Sequence, residues 1–366
     1  MKRSFKIHNR MAGWWILLLS LVFAIQVKAQ DHHAEEGSNP EAFDLKEMIF
    51  SHVMNTYDWH FFTFKGHHYS LPLPIIVKSP DRGWFAFSSA HLAHGESYSG
   101  FYFATEGDYK GKVVEKNSLG QEIRPFDISF TKTSLMICLS SILLMLIFLP
   151  LAKGYKEKPL RSRRGFAGAI ESLTVAIVDD LIKPCVGHGY KQFAPYLLTA
   201  FYFIFLNNLL GLIPLGINVT GNIAITLVLA MFTFIITNVF GNREYWKEIF
   251  WPDVPVLLKV PIPIMPVVEL LGIFTKPFAL TVRLFANMLA GHIVLLVLVG
   301  LIFIFKIMGG AAVASGVSVL SVAFSIFMLA LDVLISFIQA YVFTMLSSIF
   351  IGLARPEHAH PHPPAP

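Results

Sequence analysis

The chain has 366 residues, of which 54% are hydrophobic and only 14% are charged, and its mean hydropathy is +0.58. A soluble domain averages about 25% charged residues, so this composition excludes an ordinary soluble protein and predicts an integral membrane protein with a polar portion attached. The formal net charge is +5 at pH 7.

The first 29 residues are predicted to be a signal peptide. They open with basic residues, continue with the apolar stretch 14–25 and end with small residues at a plausible cleavage site after Ala29. An uncleaved signal anchor is the alternative. Removing residues 1–29 takes away five basic residues and no acidic one, so the formal charge falls from +5 to zero. The charge therefore predicts no nucleic-acid partner.

Residues 30–130 are predicted to form a small β-rich domain that is exported behind the signal peptide. Short aromatic or β-branched runs at 60–64, 73–77, 84–87 and 100–103 are separated by Gly, Pro and Asp. The region contains no cysteine, so no disulfide holds it together. Its histidines show no recognised spacing of metal ligands, and we expect neither a metal nor a cofactor.

The uncharged stretch 134–152 is long enough to cross a bilayer. The loop that follows it, 153–164, has six basic residues and one acidic residue. By the positive-inside rule this loop is cytoplasmic and the amino-terminal domain is periplasmic. The sequence thus predicts a multi-pass protein of the bacterial inner membrane, with a disordered cytoplasmic tail at 355–366.

Two kinds of helix are predicted in the middle of the chain. Apolar residues recur at helical spacing in 165–182, with acidic residues between them, which indicates an amphipathic helix at the membrane interface. Residues 192–242 include no charged residue, are too long for one crossing and are divided by the polar turn 218–222. They are predicted to form two crossing helices.

Two oversized apolar stretches, 266–305 and 317–354, complete a predicted membrane domain at 131–354. As helices they would be about 60 and 57 Å long, whereas a hydrocarbon core is about 30 Å thick. They are predicted to form a hairpin that is steeply tilted or kinked at Pro277, with an external turn at 309–310. The predicted fold is an all-α polytopic membrane protein: five membrane-crossing helices, one interfacial amphipathic helix and the small β-rich exported domain.

Ionisable residues are widely spaced along this predicted hairpin. At about 100° per residue, Glu269, Lys276, Arg283 and Asn287 lie within one broad helix face, whereas His292 points to the opposite side. An arginine in hydrocarbon costs about 2.5–3.5 kcal/mol on insertion scales, so Arg283 is expected to face protein or water. This spacing favours an ion path.

The second arm of the hairpin has a single charge, Asp332, and Gln339 follows seven residues later on the same face. With them, the segment 283–292, Arg-Leu-Phe-Ala-Asn-Met-Leu-Ala-Gly-His, closely resembles the signature of subunit a of the F-type ATP synthase. Glu269 and Lys276 also match that family, and the resemblance covers roughly residues 134–353.

One departure from the family pattern concerns two titratable residues. Many bacterial members have a carboxylate at the position of His292 and a histidine at that of Asp332, so this chain has the pair transposed. Because the exchange keeps one acid and one imidazole, it suggests that the two side chains form a functional pair.

The resemblance implies a proton-translocating stator subunit without a catalytic site of its own. The implied partners are a ring of c subunits, the peripheral-stalk subunit b, the rest of the ATP synthase, membrane lipid and the translocated proton. Arg283 would face the c-ring and separate two offset half-channels. His292 and Asp332 would relay protons in the external half-channel. Glu269 would form the exit to the cytoplasm. Asn287 and Gln339 would hold water or orient the arginine, and Lys276 is a further candidate for the proton path.

Two other classes would use the same buried charges. A secondary transporter or channel usually shows internal repeats with paired broken helices, and the sequence shows none. A zinc intramembrane protease needs His-Glu-x-x-His, which is absent, and Asp332 has no second membrane aspartate for an aspartyl dyad.

Overall fold

The computed structural model describes residues 56–64, 67–104, 109, 111–116, 121–157, 165–187, 189–212, 217–250 and 264–355. The predicted signal peptide and the predicted disordered tail, except its first residue, lie outside these ranges. The chain divides into two compact units, residues 1–138 with 213–217 and residues 139–212 with 218–366.

The first unit contains short antiparallel strands, as predicted from its aromatic and β-branched runs. They are β1 (Asp58–Phe64), β2 (His67–Pro72), β3 (Pro74–Ser79), β4 (Gly83–Ser88), β5 (Phe101–Phe103), β6 (Val113–Lys116), β7 (Glu122–Ile123) and β8 (Phe126–Asp127). They pair as three small sheets, β1–β2, β4–β3–β8 and β5–β6–β7. The β-rich character of this region is confirmed, whereas its export stays a prediction.

Side chains alternate between the two faces of β3, and those on its inner face form the core of this β-rich domain. Ile75 and Val77 are fully buried and pack with Phe87 and Phe101. Tyr57 closes one side of this core, where its hydroxyl donates a hydrogen bond to Asp127. Burial, reinforced by this hydrogen bond, raises the pKa of the Tyr57 phenol. The domain is therefore held by an apolar centre with a buried polar bond at its edge.

Helices account for most of the second unit. They are α1 (Lys132–Glu157), which begins in the first unit, α2 (Phe166–Ala176), α3 (Lys183–Val186), α4 (Tyr190–Gly211), α5 (Ile223–Val239), α6 (Arg243–Phe250) and α7 (Ile264–Leu353). A π-helical turn, Ile177–Ile182, joins α2 to α3 and buries Ile177, Leu181 and Ile182. The helix predicted at 165–182 thus exists, and its position at a membrane interface stays a prediction.

Four helical stretches are long and apolar enough to cross a membrane: 132–155, 190–211, 267–302 and 316–353. A fifth crossing would have to include α5, which is long enough only when it is counted together with α6, and the two helices meet at a bend of 101°. Helix α5 itself has 17 residues, the lower limit of what a crossing usually needs. The predicted number of five crossings therefore stays a prediction, while the polytopic helical architecture is confirmed.

The helical segment α7 (Ile264–Leu353) contains two long apolar stretches, 267–302 and 316–353, that lie side by side. The Ser321 hydroxyl donates a hydrogen bond to the Leu298 carbonyl, and Gly291 lies against Asp332. In a straight helix Gly291 and Asp332 would be about 60 Å apart. The chain therefore folds back into two antiparallel arms, here called the first arm (264–302) and the second arm (316–353). The predicted fold-back into a hairpin is confirmed, whereas its steep tilt or kink at Pro277 and its external turn at 309–310 stay predictions.

Helix α4 packs against both arms and fixes their positions. The apolar core between them is formed by Leu197, Phe201 and Ile204 of α4, Leu280, Leu284 and Met288 of the first arm, and Ala340, Phe343 and Ile351 of the second arm. Each arm therefore packs one face into this apolar core, and its other faces lie outside the core.

Candidate functional site

Arg283 lies on an outward face of the first arm. It is exposed, as are Asn287 and Ala290 further along the same face, whereas the neighbouring Leu284 is 1% exposed and packs in the core. Arg283 makes no ion pair or hydrogen bond with any residue that the structure describes. A guanidinium group in the middle of an apolar helix ordinarily faces protein or water, so this outward face of the arm is a candidate contact surface.

Glu269 and Lys276 are half-buried on the first arm, on the side of Arg283 that leads to its amino-terminal end. The Lys276 amino group lies 5.5 Å from the centre of the Phe350 ring. It borders a cleft that is also lined by Thr233, Thr237, Asn238, Tyr245, Pro277 and Phe350. This end of the helical unit therefore has a mixed polar and aromatic cleft, on the side of Arg283 where the predicted exit residue Glu269 lies.

The second arm presents a line of polar side chains to the interior. At about 100° per residue these side chains fall within a stripe about 60° wide. The residues of this inner polar stripe are all buried: Ser321, Ser325, Asp332, Ser336 and Gln339. The stripe includes Asp332 and Gln339, the two residues that the sequence singled out on this arm.

Gly291 brings the two arms together at Asp332. A Cβ atom added at Gly291 would lie 2.7 Å from Asp332 Oδ1, closer than real Cβ contacts allow. His292 follows directly and is half-buried. The arms thus touch next to the predicted pair, and a direct contact between His292 and Asp332 stays a prediction.

Sequence reasoning missed a set of buried and half-buried amides that connect α4 and the turn before α5 to the arms. Asn208 Oδ1 accepts a hydrogen bond from the Thr220 hydroxyl at 2.6 Å, and its amide nitrogen donates to the Ser336 carbonyl at 3.5 Å. The Asn218 amide nitrogen donates to the Met288 carbonyl at 2.9 Å. Adjacent asparagines at 207–208 in an otherwise apolar helix are the sequence signal that could have revealed this set.

Three buried side-chain oxygens in the described part of the chain have no hydrogen-bond partner: Asn207 Oδ1, Ser325 Oγ and Asp332 Oδ2. All three belong to the region of the inner polar stripe and of the end of α4 that contacts it. Buried polar atoms without a protein partner are ordinarily satisfied by water. This region is therefore suited to hold water beside Asp332.

The polar groups are separated along the hairpin. With a rise of about 1.5 Å per residue, His292 lies about 14 Å from Arg283 in one direction and Glu269 about 21 Å in the other. The exposed guanidinium thus stands between two polar regions at opposite ends of the helical unit.

We expect Gly291→Ala to impair proton pumping strongly although it changes no titratable group. The added methyl group must displace the Asp332 carboxylate, which is 4% exposed, and so moves a buried acid at the point where the two arms touch. Gly316→Ala is the matched control, since a Cβ atom there meets nothing within 4 Å. ATP-driven pumping in inverted vesicles, normalised to assembled complex, is the measurement. Equal activities of the two variants would contradict a role for the close approach at Asp332.

Known proteins share most of this chain. The family described as ATP synthase A chain matches residues 134–352, and a family described as a domain of unknown function (DUF8433) matches residues 48–129. The "ATP synthase subunit a" of Chloroherpeton thalassium is 42% identical over 255 residues, which are 67% of this chain and 73% of that protein. The "ATP synthase subunit a 2" of Chlorobaculum tepidum is 46% identical over 247 residues, 66% and 67% of the two chains. The "ATP synthase subunit a" of Myxococcus xanthus is 42% identical over 251 residues, 65% and 79%.

The family match covers more than half of the chain and includes the whole of α4, α5 and both arms, up to residue 352. It therefore contains the exposed guanidinium, the inner polar stripe and the buried amides described above. Subunit a is the proton-translocating stator part of the ATP synthase membrane sector and has no catalytic site of its own. The chain belongs to the ATP synthase A chain family and is a multi-pass membrane subunit of that complex.

Proposed function

We propose that Arg283 faces a rotating ring of c subunits and separates two offset half-channels through which protons reach that ring. The proposal rests on one observation: the exposed Arg283 has no partner among the described residues and stands between polar regions at opposite ends of the hairpin. Each passing c subunit would supply the missing partner with a buried carboxylate. The coupling of proton flow to rotation, and so to ATP synthesis, follows from this geometry.

The chemistry at Arg283 follows from the effect of environment on a carboxylate. Burial in lipid favours the protonated form of a carboxylate, whereas a cation nearby favours the ionised form. An arginine guanidinium keeps its charge in proteins. A carboxylate that arrives opposite Arg283 therefore releases its proton to one half-channel, and after it leaves it takes a proton from the other. The fixed charge also repels protons that would otherwise leak directly from one half-channel to the other.

The external half-channel runs along the inner polar stripe to Asp332 and His292. Imidazole suits a proton relay because it titrates near neutral pH. Asp332 is buried next to Gly291 and has one oxygen available for water or for a proton donor. Gln339 continues the stripe toward the level of Arg283, where the exposed Asn287 holds water or orients the guanidinium.

The cytoplasmic half-channel opens at the cleft beside Lys276. Half-buried Glu269 lies about two helical turns before Lys276 on the first arm and passes protons to the cytoplasm. The Lys276 amino group is held over the Phe350 ring and sets the charge at the mouth of the cleft. A carboxylate and an ammonium group near the membrane surface can both remain hydrated there.

The direction of both half-channels depends on topology. The basic loop 153–164 places the end of α1 in the cytoplasm and the β-rich domain in the periplasm. Five crossings then bring the carboxyl terminus to the cytoplasm, which requires that α5 crosses. Helix α5 and the turn before it follow the first arm from Phe274, whose ring lies 5.9 Å from that of Phe234, to Met288, which contacts Asn218. That distance along the arm is about 21 Å, enough for most of a crossing.

We expect a cysteine at Ala290 to form a disulfide with a cysteine on the c-subunit helix that bears its carboxylate. Ala290 is exposed and shares the face of Arg283, whereas Phe278, also exposed on the first arm, points about 140° away from Arg283. Phe278→Cys is therefore the matched control. The experiment uses assembled ATP synthase, in which Cys138 and Cys185 have been replaced by serine, and scores the cross-linked product on a gel. Cross-linking at Phe278 but not at Ala290 would refute the proposed ring-facing surface.

A further inference from the structure

The β4–β3–β8 sheet of the first unit has an apolar outer face. Trp84 is 57% exposed, Phe126 is 63% exposed and Ile128 is 54% exposed. The opposite face of the same sheet already supplies the core through Ile75 and Val77. The exposed aromatic and aliphatic side chains are therefore not needed to hold the domain together.

The members of this outer face are arranged in order across the three strands. Lys78 of β3 pairs with Trp84 on one side and with Phe126 on the other, so the three side chains form a row. The Trp84 and Phe126 rings meet edge to face with centres 6.4 Å apart. The Lys78 amino group lies 5.8 Å from the centre of the Trp84 ring.

The same face continues beyond β8 toward α1. Ile128 N donates a hydrogen bond to the Ile76 carbonyl at 3.0 Å, and Phe130 N donates to the Pro74 carbonyl at 3.0 Å. Pairing with β3 therefore extends to Phe130. Because side chains alternate along an extended strand, Phe126, Ile128 and Phe130 point to the same side. We call Trp84, Lys78, Phe126, Ile128 and Phe130 the outer β face.

A solvated sheet face does not ordinarily have this composition. Antiparallel sheets that cover a core on one side usually present polar residues on the other side. A contiguous exposed apolar patch on a soluble domain marks an interaction site. The outer β face is therefore expected to contact something outside the domain. The position of this face along the chain indicates what it contacts.

The outer β face ends where the first membrane crossing begins. Helix α1 starts at Lys132, two residues after Phe130, and its span is 132–155. Two residues reach at most about 7 Å, so Phe130 cannot lie far from the start of the span. Lys132 N also donates a hydrogen bond to the Thr56 carbonyl at 3.1 Å, which ties the start of α1 to the domain. The apolar face is thus continuous with a segment that enters the membrane.

We propose that the outer β face lies on the lipid bilayer, at the headgroup level of the leaflet that α1 enters. Aromatic side chains favour this interfacial level, where an apolar ring and a polar surrounding coexist. Lys78 can bury its aliphatic stem beside Trp84 and extend its amino group to lipid phosphates. The β-rich domain is then held against the membrane, and the start of α1 is fixed in depth. This inference is independent of the proton path.

The test measures the depth of single labelled sites in assembled ATP synthase that contains the full chain. Cys138 and Cys185 are replaced by serine, and Ile128→Cys is labelled with an environment-sensitive fluorophore after reconstitution into lipid nanodiscs. Ser97→Cys, at an exposed position of the same domain outside the strands, is the control. We expect a blue-shifted emission at Ile128 that is quenched by nitroxide-labelled lipid and protected from iodide, and the reverse pattern at Ser97.

Two outcomes would overturn the proposal. Quenching by iodide at Ile128 as strong as at Ser97 would place the outer β face in water. Protection of Ile128 from both iodide and lipid nitroxide would mean that a protein covers it, either another subunit or a second copy of this chain. Ala86→Cys repeats the measurement with a smaller change, because Ala86 is exposed two residues after Trp84 on the same strand. Agreement between Ile128 and Ala86 excludes an artefact of local unfolding.

Discussion

Replacing Arg283 by alanine is expected to reduce ATP-driven proton pumping to the level of vesicles that lack the complex. The side chain is exposed and makes no contact with a described charge, so its removal leaves the packing of the arm intact. What disappears is the cation that stabilises an ionised carboxylate of the c-ring. Without it each carboxylate stays protonated in the apolar environment, and rotation is no longer coupled to proton release.

Arg283→Lys should fail as well. An amine can lose its proton in an apolar environment, and it lacks the planar fork that a guanidinium group offers to a carboxylate. Val282→Ala is the control, because Val282 is also exposed on this arm and has no charge. Pumping is followed in inverted vesicles, with complex assembly measured in the same samples. Passive proton leak through the assembled Arg283→Ala complex should rise, and normal pumping by that complex would refute the proposed mechanism.

Changing either His292 or Asp332 alone is expected to impair pumping severely, whereas exchanging them should restore part of the activity. Asp332 is 4% exposed, so loss of its partner would leave a buried charge poorly compensated. His292→Glu alone places two carboxylates together, and two such groups cannot both ionise easily. The double variant His292→Glu with Asp332→His regains one acid and one imidazole, in the order associated with many bacterial members of the family.

The two singles and the double form a double-mutant cycle, and side chains in contact typically show coupling of about 0.5–3 kcal/mol. We expect the double variant to pump better than His292→Glu alone. If the losses of pumping in the two single variants simply add in the double variant, the two residues act independently and the paired relay would have to be abandoned. The role of Arg283 would remain, since it depends on a fixed charge about 14 Å away.

The hairpin and the orientation of its polar residues could be predicted from sequence because both follow from helical periodicity. An apolar stretch far longer than the membrane thickness must fold back or tilt, and the contact of Leu298 with Ser321 shows the fold-back. The angular position of Arg283 relative to Leu284 likewise follows from about 100° per residue. In the structure Arg283 is exposed while Asp332 is buried.

Contacts between distant parts of the chain were beyond the reach of periodicity. The bond from Asn208 to Ser336 joins residues that are 128 positions apart, and the bond from Asn218 to Met288 joins residues 70 positions apart. The importance of Gly291 likewise could not be predicted, because it depends on Asp332 of the second arm lying against it. The number of crossings could not be fixed either, because α5 is short and its 101° bend to α6 depends on tertiary packing.

The central claim, that two separate half-channels meet at the level of Arg283, is tested most directly by thiol accessibility from each side. Ser325→Cys probes the inner polar stripe and Lys276→Cys probes the cleft near Glu269, in complexes whose Cys138 and Cys185 are replaced by serine. A small membrane-impermeant thiol reagent is added to sealed vesicles of either orientation. Cysteines at Ser99 in the β-rich domain and at Ser162 in the basic loop mark the two sides.

We predict that Ser325→Cys reacts only from the side on which Ser99→Cys reacts, and that Lys276→Cys reacts only from the side of Ser162→Cys. Ser325 is buried, and its hydroxyl lacks a partner among the described residues, so reaction there requires a water-filled path from its own side. Reaction of both sites from the same side, or of either site equally from both sides, would contradict the two offset half-channels.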